Sequence, residues 1–305
     1  TGESGGVRLA PEVAEAKARG APVVALESTI IAHGFPWPDN LELAREMEDA
    51  VRAAGAAPAT IAILDGEVRI GLAPAETERL AGGGVAKCAL GDVAAAIAAA
   101  GDGATTVSAT AHLARRAGID VFATGGIGGV HPRTGDDAPD ISADLPALGR
   151  TCLLVVASGA KSILDLPATL EVLETEGVAL AGYGVDILPA FHTADSGLVL
   201  RHRVDSPAEA AALLRAQRRV EAPSAVLIAN PPPAEFAIAR ERLDGWIARA
   251  GAEAAAAGIG GAGLTPWLLR RLDTLSEGET TRVNRALAIA NARLGAEIAV
   301  AFAAA

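Results

Sequence analysis

Of the 26 basic residues in this chain only three are lysine, at positions 17, 87 and 161; the other cations are arginine. Arginine forms ion pairs and grips phosphate, but its pKa is too high for it to act as a nucleophile. A lysine kept in an arginine-biased chain is a candidate for chemistry that arginine cannot do, and Schiff-base formation is such chemistry. Lys161 is the best placed of the three. It follows the apolar run CLLVVA at residues 152–157 and a small-residue turn. A run of that length reads as a buried strand, and residues 162–176 read as a helix. Lys161 is thus expected at the carboxyl end of a strand beside a helix N-terminus, where open α/β sheets place their chemistry. Lys17, on the polar face of a short helix over residues 11–20, reads as a surface charge.

Other polar residues fall at predicted strand ends. Glu27 closes a strand over residues 22–27. It is either a surface acid or, in a crevice, a carboxyl whose pKa desolvation raises into the range of a proton donor. Lys87 lies in an extended stretch, residues 85–90. Thr105, Thr106 and Ser108 end a short strand over residues 103–110. Thr124 opens a Gly-rich loop that runs to His131, a residue that reads as a packing, capping or ligating histidine. That loop lacks the G-x-G-x-x-G pattern with its acidic ribose ligand, which argues against a dinucleotide site. Asp140 and Asp144, at i and i+4 of a predicted helix start, suit either the helix dipole or a hard divalent ion such as Mg²⁺ or Mn²⁺ held partly through water. A lysine nucleophile needs a carbonyl or a masked aldehyde. Lys87, the hydroxyls and backbone donors suit a phosphate. An aldose phosphate supplies both.

The elements that must position these residues alternate. Strands are predicted over residues 22–27, 60–64, 68–72, 103–110, 119–122, 152–157, 178–183 and 225–229, with an exposed one over 198–204. Helices are predicted between them, one of them over residues 41–54 with Asn40 as its cap, and three more close the chain over 235–257, 265–274 and 280–301. Alternation of this kind predicts an α/β fold with a largely parallel sheet covered on both faces. No linker or repeat divides the 305 residues, so a single domain over 1–305 is expected, with residues 1–7 as a flexible leader.

Composition narrows the function. A net charge of -11 without a basic patch argues against a nucleic-acid polymer as partner. Cys88 and Cys152, the two cysteines, form neither a metal spacing nor a disulfide framework, which suits a reducing cytoplasm. No apolar run approaches the roughly 18 residues of a membrane span.

The chain resembles the pseudouridine-5'-phosphate glycosidase family over nearly its whole length. The segments that carry the resemblance are ALESTIIAHGFPWPDNLELA (25–44), TIAILDGEVRIGL (60–72), TTVSAT (105–110), FATGGIGGVH (122–131), DISADL (140–145), ASGAKSILDLPATLEVLE (157–174), GYG (182–184), IANPPP (228–233) and TPWLLRRL (265–272). The resemblance implies a three-layer α/β/α fold, a cytoplasmic homotrimer, and an enzyme that makes or breaks the carbon–carbon bond between C1 of ribose 5-phosphate and an aglycone carbon. It implies Lys161 as the nucleophile that carries the ring-opened sugar as an imine, and Glu27 as the proton donor. Lys87, Val107, Ser142, Ala143 and Asp144 are implied substrate contacts, Asp140 the ligand of Mn²⁺ or another divalent cation, and Thr106, Thr124, His131 and Asn284 further site positions.

Departures from the family pattern lie around this sugar site. Lys87 is followed by Cys88-Ala-Leu-Gly-Asp92 where the family has a Ser-Arg-Arg-Asp run. A DEFPAFY segment of the family is Asp186-Ile-Leu-Pro-Ala-Phe-His192, and an Asn-Asn pair is Ala290-Asn291. Retention of the sugar residues beside changed loops leads to the expectation of a C-glycosynthase that joins ribose 5-phosphate to an aromatic, polyketide-type acceptor in antibiotic biosynthesis. The alternative is a pseudouridine-5'-phosphate glycosidase that yields uracil and ribose 5-phosphate. A class I aldolase-like enzyme, or a sugar-phosphate-binding protein without catalysis, completes the set.

Overall fold

The computed structural model describes residues 7–132, 140–259 and 264–304. Residues 1–6 of the predicted 1–7 leader, and residues 133–139, lie outside the described residues. In chain order the elements are β1 (Val7–Leu9), α1 (Pro11–Ala18), β2 (Val23–Leu26), α2 (Asp39–Ala53), β3 (Ala57–Leu64), β4 (Glu67–Ile70), α3 (Pro74–Ala81), β5 (Ala86–Cys88), α4 (Val93–Ala98), β6 (Gly103–Thr105) and α5 (Val107–Arg116). They continue with β7 (Val121–Ala123), α6 (Asp144–Leu148), β8 (Leu154–Ala157), α7 (Leu166–Thr175), β9 (Ala179–Tyr183), β10 (Arg203–Val204), α8 (Pro207–Arg219), β11 (Val226–Ala229), α9 (Arg240–Ala256), α10 (Leu264–Leu275) and α11 (Glu279–Ala303).

The strands form one mixed, mostly parallel sheet in the order β1-β4-β3-β2-β7-β8-β11-β9-β10, with β6 paired to β3 and β5 to β6. Side chains of a strand alternate between faces, and the core divides accordingly. Val24, Leu26, Val121, Ala123, Leu154, Val156 and Ile228 face α2, α8 and α11. Val23, Ala25, Phe122, Val155 and Leu227 face the opposite layer, with residues of α1, α5, α6, α7, α9 and α10. Burial on both faces explains why these strands read as unbroken apolar runs.

α11 lies close against the sheet, where Gly295 leaves no room for more: a Cβ there would stand 3.0 Å from that of Ala123. By length and composition this helix could cross a membrane, an exception to the expectation that no segment could. Half of its most apolar stretch is buried, packed on α2, α8, β2, β7 and β8, as in the core helix of a globular fold.

Several expected boundaries move. Val7 pairs with Val68 in an edge strand rather than belonging to a leader. Asn40 is not a helix cap; it lies inside α2, and its Nδ2 donates to the carbonyls of Ile31 and Ala81, both at 2.9 Å. The expected strand over 103–110 stops at Thr105, because the apolar spacing from Val107 onward is that of an amphipathic helix. The predicted helix over 162–176 begins only at Leu166, where Asp165 accepts the Ala168 N–H at 3.0 Å and Pro167 fits the first turn. The exposed strand over 198–204 shrinks to β10.

The sheet also contains a reversal that periodicity could not reveal. β3 runs parallel to β2 through residues 57–60 and then pairs antiparallel with β6 through Ala62 and Ile63. β2 and β6 therefore meet end to end along one side of β3. A small hydroxyl network closes the seam. Ser28 Oγ donates to the Ile61 carbonyl at 2.7 Å and accepts the Thr105 N–H at 2.8 Å, while Thr105 Oγ1 also donates to Ile61 at 2.6 Å. Ser28 and Thr105 are fully buried. Ser28→Ala strands the Thr105 N–H, and stability should fall by about 2 kcal/mol, read as a lower urea midpoint at unchanged m-value.

Candidate active site

Glu27 follows β2 at this seam and is buried. Its carboxyl accepts two hydroxyl hydrogen bonds, one from Thr29 and one from Thr124, and among the described residues no cation reaches it within ion-pair distance. Burial pushes its pKa above the ordinary carboxylate value. The two hydroxyls and the charge of Lys161 oppose that rise, and the charge of Asp144 adds to it. The group is thus disposed to hold a proton and give it up.

Lys161 comes from the turn after β8. Gly159 in that turn has φ +77°, and a Cβ on it would lie 2.0 Å from the Pro189 carbonyl oxygen, so no other residue fits. The Lys161 N–H donates to the Ile127 carbonyl at 3.2 Å, which ties the turn to the Gly-rich loop after β7. Lys161 sits in this loop, ahead of α7 rather than at its N-terminus.

Lys87 arrives from the other side. β5 is parallel to β6, which runs against β3, so Lys87 does not share the parallel edge on which the sequence placed it. Desolvation, followed by the charge of Lys161, lowers its pKa from the ordinary lysine value, while Asp144 and Glu27 pull the other way. His33, in a π-helical turn over Ile30–Gly34, is lowered by burial and by Lys87.

Glu27, Lys87, Lys161 and Asn284 line one cleft of about 730 Å³, with His33, Phe35, His192 and residues of α10 completing its walls. A second hollow of about 700 Å³ near Arg52 and Arg69 contains neither lysine nor Glu27, and Arg52 is already paired with Glu12.

The acids after the Gly-rich loop are not arranged as expected. α6 begins at Asp144, and Asp140 lies outside it, so the two share no helix face. Asp144 is buried and engaged: Oδ1 accepts the Ser108 N–H at 2.9 Å and Oδ2 the Gly128 N–H at 2.8 Å. Its own N–H donates to Ser142 Oγ at 3.2 Å, and Ala143 caps α6. Asp144 thus joins the start of α5, where Thr106 is the cap and Val107 is buried, to the Gly-rich loop. Asp140 has a side chain 64% exposed, with His131 Nε2 4.0 Å from Oδ2. Among the described residues no three His, Cys, Asp or Glu side chains cluster as metal ligands. One open carboxylate with a histidine beside it fits a hard cation that keeps most of its shell as water, and does not fit a closed transition-metal cage.

Other residues acquire roles that sequence reasoning missed. Thr124 is fully buried and serves Glu27 rather than the open cleft. Thr29, two residues past Glu27, does the same. Asn291 of α11, fully buried, donates to the Thr124 carbonyl at 2.8 Å and to Ser158 Oγ at 3.1 Å, and accepts from Asn230 Nδ2 at 2.9 Å. It ties together the turns after β7, β8 and β11. A polar residue closing the apolar run at residues 286–290 of α11 was the signal in the sequence for it.

A desolvated acid and an amine facing one cleft at the strand ends of a doubly covered sheet define an α/β enzyme with a lysine–carboxyl site. The chain matches the family described as "Indigoidine synthase A like protein" over residues 12–301, and it belongs to that family. It is 53% identical over 294 residues to a pseudouridine-5'-phosphate glycosidase of Herpetosiphon aurantiacus, covering 96% of this chain and 97% of the relative. It is likewise 53% identical to the pseudouridine-5'-phosphate glycosidase of Thermus thermophilus, covering 92% and 98%. Among solved structures it resembles the prealnumycin C-glycosynthase AlnA in complex with ribulose 5-phosphate, with a TM-score of 0.91 and 39% identity over 98% of this chain and 97% of that one. An indigoidine synthase A-like protein of Thermotoga maritima gives a TM-score of 0.87 at 33% identity, covering 96% and 95%. The expected α/β fold and the family resemblance agree with these comparisons. The chain is an enzyme of glycosidase or lyase type.

Glu27 has a consequence for stability. A carboxyl whose pKa is raised on folding contributes stability that is present below its unfolded value and is lost as pH rises through the folded value. Glu27→Gln removes that loss. Urea melts at a series of pH values should show the variant gaining on the wild type as pH rises past the ordinary carboxyl range; parallel curves would contradict a buried, proton-holding Glu27.

Proposed function

We propose that the protein is a pseudouridine-5'-phosphate glycosidase, cleaving the C1–C5 bond between ribose 5-phosphate and uracil, and able to form it in reverse. The observation that carries this reading is the pairing of Lys161 and Glu27 across one cleft, an amine to hold the sugar and an acid to protonate the departing carbon. The name borne by relatives at 53% identity supports uracil as the aglycone over the aromatic acceptor expected from the loop departures. The aromatic acceptor remains a second reading, favoured by the likeness to AlnA at 39% identity.

A C-glycoside has no leaving oxygen to protonate, so two carboxylates in the usual glycosidase arrangement would not suffice. The Lys161 amine instead bonds to C1 as the ring C1–O4 bond breaks, and its proton passes to O4. Glu27 then delivers a proton to C5 of the base. The nitrogen lone pair forms the C1=N bond while the C1–C5 pair returns to the ring, and neutral uracil leaves. Water adds to the iminium carbon, the amine departs, and the proton released returns to Glu27. The products are uracil and ribose 5-phosphate, with one water consumed. Lys87 and the Ser142–Ala143–Asp144 segment, with the backbone of Val107 and the cap residue Thr106, hold the sugar phosphate in this proposal. Thr124 holds the Glu27 carboxyl, His131 stands beside Asp140, and Asn284 lines the cleft. Asp140 would hold Mn²⁺ or another hard divalent cation, which would add positive charge for an anionic substrate. A homotrimer in the cytoplasm belongs to the same proposal and rests on the family resemblance.

Borohydride added during turnover with ribose 5-phosphate should leave one reduced pentose-phosphate adduct on Lys161, found by peptide mass spectrometry. Lys161→Arg keeps the charge and should lose both adduct and turnover; an adduct on Lys87 in the wild type would sink the assignment. Glu27→Gln should still form the adduct while C–C cleavage slows by about 10²- to 10⁴-fold. Asp140→Ala should weaken Mn²⁺ uptake in equilibrium dialysis; retention at wild-type affinity would remove Asp140 as a ligand.

A further inference from the structure

His192 is 2% exposed, yet its ring forms part of the cleft wall beside Lys161 and Gly126. The chain goes to some length to put it there. Phe191 holds φ +60°, a left-handed conformation that costs a bulky residue energy and persists only where surrounding structure enforces it. The Phe191 N–H is fixed on the Ser158 carbonyl at 2.8 Å, its ring meets His192 edge to face at 4.7 Å, and the His192 carbonyl accepts from Ile238 at 2.9 Å.

His192 Nδ1 lies 2.9 Å from Ser162 Oγ, one residue past Lys161. Among the described residues Ser162 has no other protein acceptor. Donation of its hydroxyl to Nδ1 is thus the arrangement that strands no hydrogen within the pair, and it assigns the ring proton to Nε2. Nε2 has no partner among the described residues. The sealed side-chain atoms without partners belong to Arg69 and Arg218, so Nε2 is open to the cleft. Burial holds the imidazole pKa at about 3, which keeps the ring uncharged.

The loop that carries His192 folds back over the turns after β7 and β8: the Phe191 ring packs against Gly126, and Pro189 packs against Gly159. His192 therefore stands at the Lys161 turn. The charge of Lys87 in the same cleft suits a phosphate, whereas an uncharged N–H donor beside Lys161 suits a neutral carbonyl.

We propose that His192 is a specificity-determining residue of the cleft, its Nε2–H a fixed, uncharged donor to a ring carbonyl of the aglycone, with Ser162 as the positioning residue that sets its tautomer. This rests on the C-glycosidase reading above, and the aglycone class it selects is a dioxopyrimidine or a similar carbonyl-bearing ring.

The test is bond formation from ribose 5-phosphate and uracil by the wild type, His192→Phe and His192→Gln. His192→Phe should raise the uracil KM about tenfold, the cost of one neutral hydrogen bond. The KM for ribose 5-phosphate should stay within about twofold, with the borohydride-trapped adduct on Lys161 undiminished. His192→Gln, which keeps an N–H donor, should recover most of the uracil affinity. An active wild type whose uracil KM is untouched by His192→Phe overturns this inference alone. Equal losses for uracil, sugar and thermal stability in both variants also overturn it, by making His192 structural. A wild type that traps ribose 5-phosphate but forms no bond with uracil overturns the glycosidase reading and this one with it.

Discussion

The site depends on keeping one carboxyl dry. Glu27 sits at the end of a central strand with two hydroxyls as its donors, and full ionisation there would leave a buried charge with no paired cation among the described residues. Everything near it manages that constraint. Thr124 can serve Glu27 because Asn291 holds the Thr124 carbonyl. The Gly-rich loop that begins there is fixed in turn by Asp144 at Gly128 and by the backbone of Lys161 at Ile127. Loosening any of these exposes the carboxyl and returns its pKa toward the ordinary range.

The charges around the cleft form a balanced set rather than an anion hole alone. After the larger effect of burial, the charge of Lys161 lowers the Lys87 pKa and the charge of Asp144 raises that of Glu27. Asp144 accepts from two backbone N–H groups, whereas Glu27 accepts from two hydroxyls. The two acids thus differ in what they do: Asp144 organises the loops, and Glu27 is disposed to hold a proton in the cleft that Lys161 also lines.

Much of this was legible in the sequence, and the illegible parts share a cause. Strands β2, β3, β8 and β11 are buried on both faces, so each appears as an apolar run, and Glu27 and Lys161 stand out as the polar residues that follow two of them. Lys161 was legible for a second reason, its rarity among arginines. What failed depends on pairing across the sheet or on contacts between distant segments. The antiparallel course of β6 is set by β3, more than 35 residues earlier, and no local pattern encodes it. Asp140 and Asp144 have the spacing of a helix face, but residue 141 bridges to Val130 instead, which keeps that stretch extended. His192 and Asn291 gave little local signal because one sits in an irregular loop and the other on the buried face of a mixed helix; their partners lie 30 and up to 167 residues away.

Asn291 also bears on how the molecule is made. Its bonds to Thr124, Gly125 and Ser158 span 167, 166 and 133 residues, and the helix that carries it follows every strand in the chain. Chains emerge from the ribosome N-terminal part first. All the strands, both cleft lysines and Glu27 are therefore synthesised before the residue that fixes the turns between them. Until α11 docks, Glu27 lacks its fixed Thr124 donor and the Lys161 turn lacks its tie. The order of synthesis thus leaves the turns that carry Thr124 and Lys161 untied until the polypeptide has been built through its last long helix.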